Sequence, residues 1–570
     1  MLSRALVAIT VLASVQALAA DAAPAPLPIA PIAAKPAPAK AAPSKGATTT
    51  KAPARKEGPA RPAPRVLVTS ATIDPHLKAQ LNEAVNAEGL DGASVSFMAV
   101  RLKDGEILAE HGGDSLINPA SNAKLITSAA ALDALHPEYR FKTEYYATGP
   151  VKDGTLYGNL VVKGYGDPSI VSERLERVAN ELYLYGIERI TGNVVVDGSW
   201  FDGNEEARGW ELEETPDRAY AAPISALEVN YNATAIYVRP TTEGQPAIVR
   251  VDPPCEEVVL KGDVMTDKVG RGVQLSSHKD KNDDGHDVTS LLVEGTVGQR
   301  ESPFRTYRRV YNPLRHFGSV LTYFLQQRGV KMHHSIVEGK VPDGARLVLV
   351  DRSPRLTEIV ADLNHFSNNI IAETLVKTMG AEVMGAPGTF ANGLAVAHKF
   401  LEEKVGFERG SYKYDNGSGL NDVNRFTSRE IVKLLTYMSR DFETGTEYAA
   451  SLAVAGTQGT IGFRMRDTPA ERHLRAKTGT LHGVSALSGY VAQPGGDVVA
   501  FSVLSMGLKQ GVSPAWKVQN QIGVALASGG SFHPEGEDPA AGDEGGEPTG
   551  PAPTDPTAQK PAESAPGGAP

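Results

Sequence analysis

The chain reads as an α/β (α+β) protein in which one domain is split by a long β-rich insertion, and three observations carry that reading. Two short strand-like runs flank the Lys103-Asp104-Gly105 turn, and a helical pattern follows them. Between about Tyr139 and Arg352 the pattern changes to short β-rich runs punctuated by turn residues. Helical periodicity returns after about Leu356, and the chain closes on a second hairpin and a last helix.

Taken in order, Ser94 to Arg101 and Glu106 to Glu110 form the first expected hairpin. Leu125, Ala129, Leu132 and Leu135 then recur at three- and four-residue steps, and Pro119 suits the opening of that helix. The insertion holds strand-like runs at Asn159 to Lys163, Asn193 to Asp197, Ala235 to Arg239, Val258 to Lys261, Thr289 to Glu294 and Leu347 to Val350. One helical interruption is expected near Leu314 to Arg328. Further helices are expected at Asn368 to Met379, Gly393 to Glu403 and Ser428 to Met438. Ser485 to Val491 and Asp497 to Ser505 flank Pro494-Gly495-Gly496 as a hairpin, and Ala515 to Ala527 closes the chain. These elements assign residues 75 to 140 and 355 to 530 to the split domain and 141 to 354 to the insertion.

With 570 residues, 41% of them apolar, the chain is long enough to bury several cores. Arg4, the apolar run Ala5 to Val15 and Ala17-Leu18-Ala19 read as a signal peptide over residues 1 to 19, hence a periplasmic protein. That run is short for a bilayer span and no later segment reaches about 18 apolar residues, so no stable membrane insertion is expected. Residues 20 to 70, rich in Pro, Ala and Lys, and the acidic Pro/Gly tail at 533 to 570 cannot bury enough apolar surface to offset ordering, so both are expected to be disordered. Cys255 is the only cysteine, which excludes an intramolecular disulfide. A net charge of -10 carries no nucleic-acid footprint. Asp280 to Gly285 resembles half a calcium loop, but its twelfth position is Leu291, and His333-His334 lacks a third ligand at zinc spacing. No metal or other cofactor is expected.

The chemistry is carried by three short motifs. In Ser121-Asn122-Ala123-Lys124 a spacing of three puts both side chains on one helix face, where a neutral Lys amine can take the Ser proton. The helix start also offers free N–H groups and the positive dipole end. In Ser367-Asn368-Asn369 a hydroxyl can relay a proton to a leaving amine, and the Asn369 amide can hold a peptide carbonyl. In Lys477-Thr478-Gly479-Thr480, on an edge strand, Lys and Thr can bind a carboxylate. Gly479 allows close backbone approach there, and the Thr480 N–H can complete an oxyanion hole. Asp167, in Gly164-Tyr165-Gly166-Asp167-Pro168, is a candidate to bind a substrate ammonium, and His482, two residues past Thr480, is a candidate substrate contact.

Occurring in this order, the motifs form the set found in β-lactamases and penicillin-binding proteins. The chain resembles the serine penicillin-recognising superfamily, and within it the D-alanyl-D-alanine carboxypeptidase/endopeptidase family S13, the class C penicillin-binding proteins. The likeness spans about residues 75 to 528. It is also carried by Gly164 to Pro168, Ala221 to Leu227 with Asn230 and Asn232, and Asp415 to Leu420, and by the wide separation of Lys124 from Ser367. The sequence departs from it at Asn368, where the family often has Asp, and at Thr480, where it often has Ser. The resemblance implies a penicillin-binding-protein-like transpeptidase fold, an acyl-enzyme on Ser121, peptidoglycan stem peptides as substrates and β-lactams as covalent inhibitors. Two alternatives share parts of this set: a β-lactamase, for which no Glu-x-x-x-Asn motif is apparent between the second and third motifs, and a non-catalytic wall-binding protein.

Overall fold

The computed structural model describes residues 75–85, 90, 92–282, 285–332 and 335–529. The expected leader, linker and tail, the His333-His334 pair, and Asp283 and Asp284 of the calcium-like run lie outside the described residues. The rest of that run is occupied by ion pairs: Asp280 meets Lys261 at 2.6 Å, and Asp287 meets Lys279 and Lys281.

The chain opens with α1 (Pro75–Val85), β1 (Ser94–Arg101), β2 (Ile107–His111) and, after a 3-10 turn at Ala120–Asn122, α2 (Ala123–Leu135). The insertion begins with β3 (Lys142–Ala147), β4 (Leu160–Gly164), α3 (Ser172–Leu184) and β5 (Val194–Asp197). It continues through β6 (Ala233–Arg239), β7 (Ile248–Asp252), β8 (Val258–Lys261), β9 (Val264–Asp267), β10 (Gly272–Lys281), β11 (Asp287–Gly298) and β12 (Phe304–Arg309). It ends with α4 (Pro313–Gln327), β13 (Ile336–Glu338) and β14 (Arg346–Arg352). The helices that follow include α5 (Leu356–Phe366), α6 (Asn369–Met384), α7 (Phe390–Lys399) and α8 (Ser428–Arg440). The closing elements are β15 (Ala453–Val454), β16 (Leu474–Leu481), β17 (Val484–Ala492), β18 (Val498–Met506) and α9 (Ser513–Ser528).

The split domain is built on an antiparallel sheet in the order β15-β16-β17-β18-β1-β2, so its two ends meet where β1 pairs with β18. Leu77 and Leu81 of α1 and Val518 and Ile522 of α9 cover one face with Phe97, Leu487 and Phe501. On the other face lies α2, which is buried on all sides from Ala123 to Leu132. The sequence pattern points to an amphipathic helix there. A helix enclosed by sheet and helices needs no polar face, and α5, α6 and α7 all touch it. Strand β16 is covered on its outer edge only at Arg475 and Ala476, where β15 pairs. The edge from Lys477 to Leu481 has no strand neighbour among the described residues.

In the insertion, β13-β5-β4-β3-β14 form a mixed sheet backed by α3 and α4 through Leu175, Val178, Leu182, Phe317 and Leu321. A second cluster joins the β7-β6-β12 sheet to the sheet of β8 to β11. The single expected helical interruption is therefore incomplete: α3 is a second one. Its apolar residues Leu175, Val178, Ala179 and Leu182 follow helical spacing and are buried, while charged residues such as Glu173 and Glu176 fill the outer face. The helix expected from Gly393 begins earlier, at Phe390, because Thr389 caps it by accepting from Asn392 N–H at 3.0 Å.

Candidate active site

Three pieces of local structure converge. Ser121 sits in the 3-10 turn ahead of α2, and Ala120 before it holds a left-handed conformation at φ 46°. Asn118 fixes that turn by accepting from the Ala120 N–H at 2.8 Å. Ser367 is also left-handed, at φ 57°, as the first of the two residues between α5 and α6. Asn368 caps α6 by accepting from Ile371 N–H at 3.0 Å. Both serines thus stand on or beside backbone that non-glycine residues seldom adopt, held there by the packed helices that follow.

Lys124, in the first turn of α2, is fully buried. Its Nζ lies 3.0 Å from Ser121 Oγ, 2.6 Å from Asn369 Oδ1 and 2.6 Å from the Ser418 carbonyl. A neutral amine donates two hydrogens, so if the two short contacts take them, the lone pair is left for the Ser121 hydroxyl. Lys477, also fully buried, donates to Ser367 Oγ at 2.7 Å and to the Thr478 carbonyl at 2.9 Å. The Thr478 hydroxyl donates to Thr460 Oγ1 at 2.8 Å. Burying an ammonium is costly unless it is well hydrogen-bonded, and Lys477 meets that condition.

Gly479 explains how strand and turn come together. A Cβ there would lie 2.6 Å from the Pro119 carbonyl oxygen, so only glycine lets β16 run this close to the Ser121 turn. Gly419 also comes close to this turn: at φ +74° it passes so near Ala120 that a Cβ would run into the Ala120 carbonyl oxygen. Thr480, on the same strand, is exposed.

Two expected site residues stand differently from the sequence expectation. His482 is in the turn between β16 and β17, exposed, and not on the strand, because the ladder closes with Leu481 paired to Val484. His482 therefore does not continue the strand face that carries Thr480. Asp167 is buried, with its carboxylate 2.9 Å from Arg174 and accepting from Ser169 N–H and Oγ. Its own chain has occupied it, so it is a turn and ion-pair residue and not an open receptor for an ammonium.

Sequence reading gave no role to Ser418, whose carbonyl meets Lys124, or to Tyr220, whose carbonyl accepts from Asn369 Nδ2 at 3.0 Å. Both act through backbone, which side-chain motifs do not encode. The pair Gly417 and Gly419 around Ser418 was the available signal of a close approach. Nearby, burial pushes the His365 imidazole below its usual pKa, and its Nδ1 lies 3.4 Å from Gln458 Nε2.

A serine beside a buried lysine, a second serine beside a second buried lysine, and an open sheet edge next to both define a serine acyl-transfer enzyme of the penicillin-binding class. Residues 77–527 match the D-Ala-D-Ala carboxypeptidase 3 (S13) family. The D-alanyl-D-alanine carboxypeptidase of Actinomadura sp. (strain R39) is 33% identical over 476 residues, covering 81% of this chain and 86% of that protein. The D-alanyl-D-alanine carboxypeptidase DacB of Haemophilus influenzae is 26% identical over 417 residues, covering 72% of this chain and 85% of that one. The crystal structure of penicillin binding protein 4 from Haemophilus influenzae shares the fold at a TM-score of 0.68 and 22% identity, over 79% of this chain and 99% of that one. The chain belongs to the D-Ala-D-Ala carboxypeptidase 3 (S13) family, and its activity is that of a serine-type D-Ala-D-Ala carboxypeptidase.

Proposed function

We propose that the enzyme cleaves peptidoglycan stem peptides through an acyl-enzyme on Ser121. The observation that carries this reading is the 3.0 Å contact between the Nζ of the buried Lys124 and the Oγ of the half-buried Ser121. Ser121 Oγ attacks the carbonyl carbon of the penultimate D-Ala while Lys124 takes the hydroxyl proton. The N–H groups of Ser121 and Thr480 hold the oxyanion. Ser367, linked to Lys477, delivers a proton to the leaving amine as the peptide C–N bond breaks and takes in its place the proton that Lys124 removed from Ser121, so that both side chains return to their starting states. Water then adds to the ester and restores the Ser121 hydroxyl. The substrate lies along the open edge of β16 as an added strand, with Lys477, Thr478 and Thr480 toward its carboxylate and Asn369 at its peptide carbonyl.

When the leaving amine is a terminal D-Ala the reaction is carboxypeptidase cleavage. When it is the side chain of a cross-linked diamino acid the reaction is endopeptidase cleavage. A β-lactam enters the same path through its ring carbonyl and stays attached as a slowly hydrolysed ester. The basic and apolar start of the chain supports a periplasmic enzyme. Incubation of the purified protein with defined linear and cross-linked muropeptides, followed by mass spectrometry, tests the reading: loss of D-Ala or release of a monomer is expected, and neither product from either substrate contradicts it.

A further inference from the structure

The buried acid closest in interaction to the Ser-Lys pair belongs to none of the three motifs. Glu373 lies on α6, one turn after Asn369, and its side chain has no solvent exposure. Its Oε1 accepts from the Ser418 N–H at 2.7 Å and its Oε2 from the Gly417 N–H at 3.2 Å. These consecutive amides belong to the loop whose Ser418 carbonyl accepts from Lys124 Nζ at 2.6 Å. The loop has little freedom elsewhere. The Gly417 carbonyl accepts from Thr127 Oγ1 at 2.6 Å, Thr127 Oγ1 also meets the Tyr414 hydroxyl at 2.7 Å, and a Cβ on Gly417 would meet Val376 Cγ2 at 2.6 Å.

We propose that Glu373 is a positioning residue for acyl transfer: its ionised carboxylate clamps the Gly417-Ser418 backbone so that the Ser418 carbonyl, with Asn369, aims Lys124 at Ser121 and offsets the charge Lys124 gains. This rests on the reading of Lys124 as the base. A carboxylate is acceptor-only and suits two converging N–H donors, whereas an amide in its place would set its own N–H₂ against one of them. Two titratable side chains face Glu373: Lys124 from α2, and Tyr414 from the segment before the loop. Further along α6, Lys377 is turned to Asp202 at 2.6 Å, and Thr374 bonds Glu228. Burial pushes Glu373 upward, and against it work first the hydrogen bonds from Ser418 and Gly417 and then the charge of Lys124.

The test compares wild type, Glu373→Gln, Glu373→Asp and Lys124→Ala by rate of acylation with a fluorescent penicillin across the pH range. Glu373→Gln is expected to lose about 10²-fold in acylation rate, as for a misdirected general base. Its acid limb moves to lower pH by about one unit, because removing a neighbouring anion disfavours the ammonium. Glu373→Asp keeps the charge, so its limb stays at the wild-type pH while its plateau rate falls through the shorter reach. A Glu373→Gln limb at the wild-type position, or a rate within about threefold of wild type, overturns the proposal. If that variant does not fold, Glu373→Asp decides: a shifted limb or an unchanged plateau overturns it. Lys124→Ala separates the two claims, since acylation that survives it defeats the reading of Lys124 and not merely the part given to Glu373.

Discussion

At the scale of single residues, the site depends on atoms that are missing as much as on those present. Gly419 and Gly479 both press against the turn before Ser121, and each would drive a Cβ into a backbone oxygen. Gly419→Ala also forces a side chain into positive φ. This variant is predicted to lose about 10²-fold in kcat/KM, since a displacement near 1 Å at the nucleophile is enough for that, and about 1–3 kcal/mol of stability from the strained backbone. Acylation kinetics and urea unfolding measure the two effects. Asp167 belongs at this scale too. Its carboxylate is bound to Arg174 and Ser169, and Arg174 also meets Asp351 at 2.8 Å. Asp167→Asn is therefore predicted to destabilise the protein on the order of 1–3 kcal/mol. Any loss of activity should be equal for penicillin and for a substrate bearing a free ammonium, and a rise in KM confined to the latter would restore Asp167 to the site.

At the scale of elements, α6 is the part that joins everything. Asn369 on it reaches Lys124 and the Tyr220 carbonyl, and Glu373 holds the Ser418 loop. Thr374 donates to Glu228 Oε1 at 3.0 Å, and the same oxygen accepts from the Ser225 N–H. Glu228 is fully buried on the insertion side, and desolvation pushes its carboxyl from 4.5 up to about 8, against the pull of those hydrogen bonds. The native state therefore keeps the proton over a range in which the unfolded chain has released it. This contribution to stability is fully present below about pH 4.5 and is lost as the pH rises toward 8. Glu205, pushed up to about 7 by burial, acts in the same direction. Glu228→Gln, which keeps the acceptor and cannot ionise, is predicted to flatten the fall in melting temperature between about pH 5 and pH 8. A slope equal to that of wild type in differential scanning fluorimetry contradicts this assignment.

The elements also show what sequence could reveal. The hairpins, α4, α6, α8 and α9 stand within a few residues of their expected positions, because each has an apolar face or a turn signal of its own. Helix α3 carries an equally clear period and went unread inside a β-rich stretch, where context outweighed pattern. The side-chain motifs were legible as motifs: Ser121 with Lys124, and Ser367 with Lys477, are spelled in the residues that touch. Burial was not. Nothing in the composition of Gly164 to Pro168 tells a buried Asp167 from an exposed one, and nothing in a peptide carbonyl, which every residue has, marks those of Ser418 and Tyr220.

At the scale of the whole molecule, the first motif and the third are separated by the entire insertion and all the central helices, yet they meet because β1 closes the sheet against β18. The central sheet sets Lys477 and Gly479 beside the Ser121 turn, and α6 brings the second motif to the first. Everything in the site turns on Ser121 as the acylated residue and Lys124 as its base. The most direct measurement is intact-mass and peptide-mapping mass spectrometry of the full-length protein after incubation with penicillin. A single adduct of one penicillin per chain, mapped to the peptide containing Ser121 and absent from Ser121→Ala, is the predicted result. An adduct on another serine, or undiminished labelling of Ser121→Ala, contradicts the account.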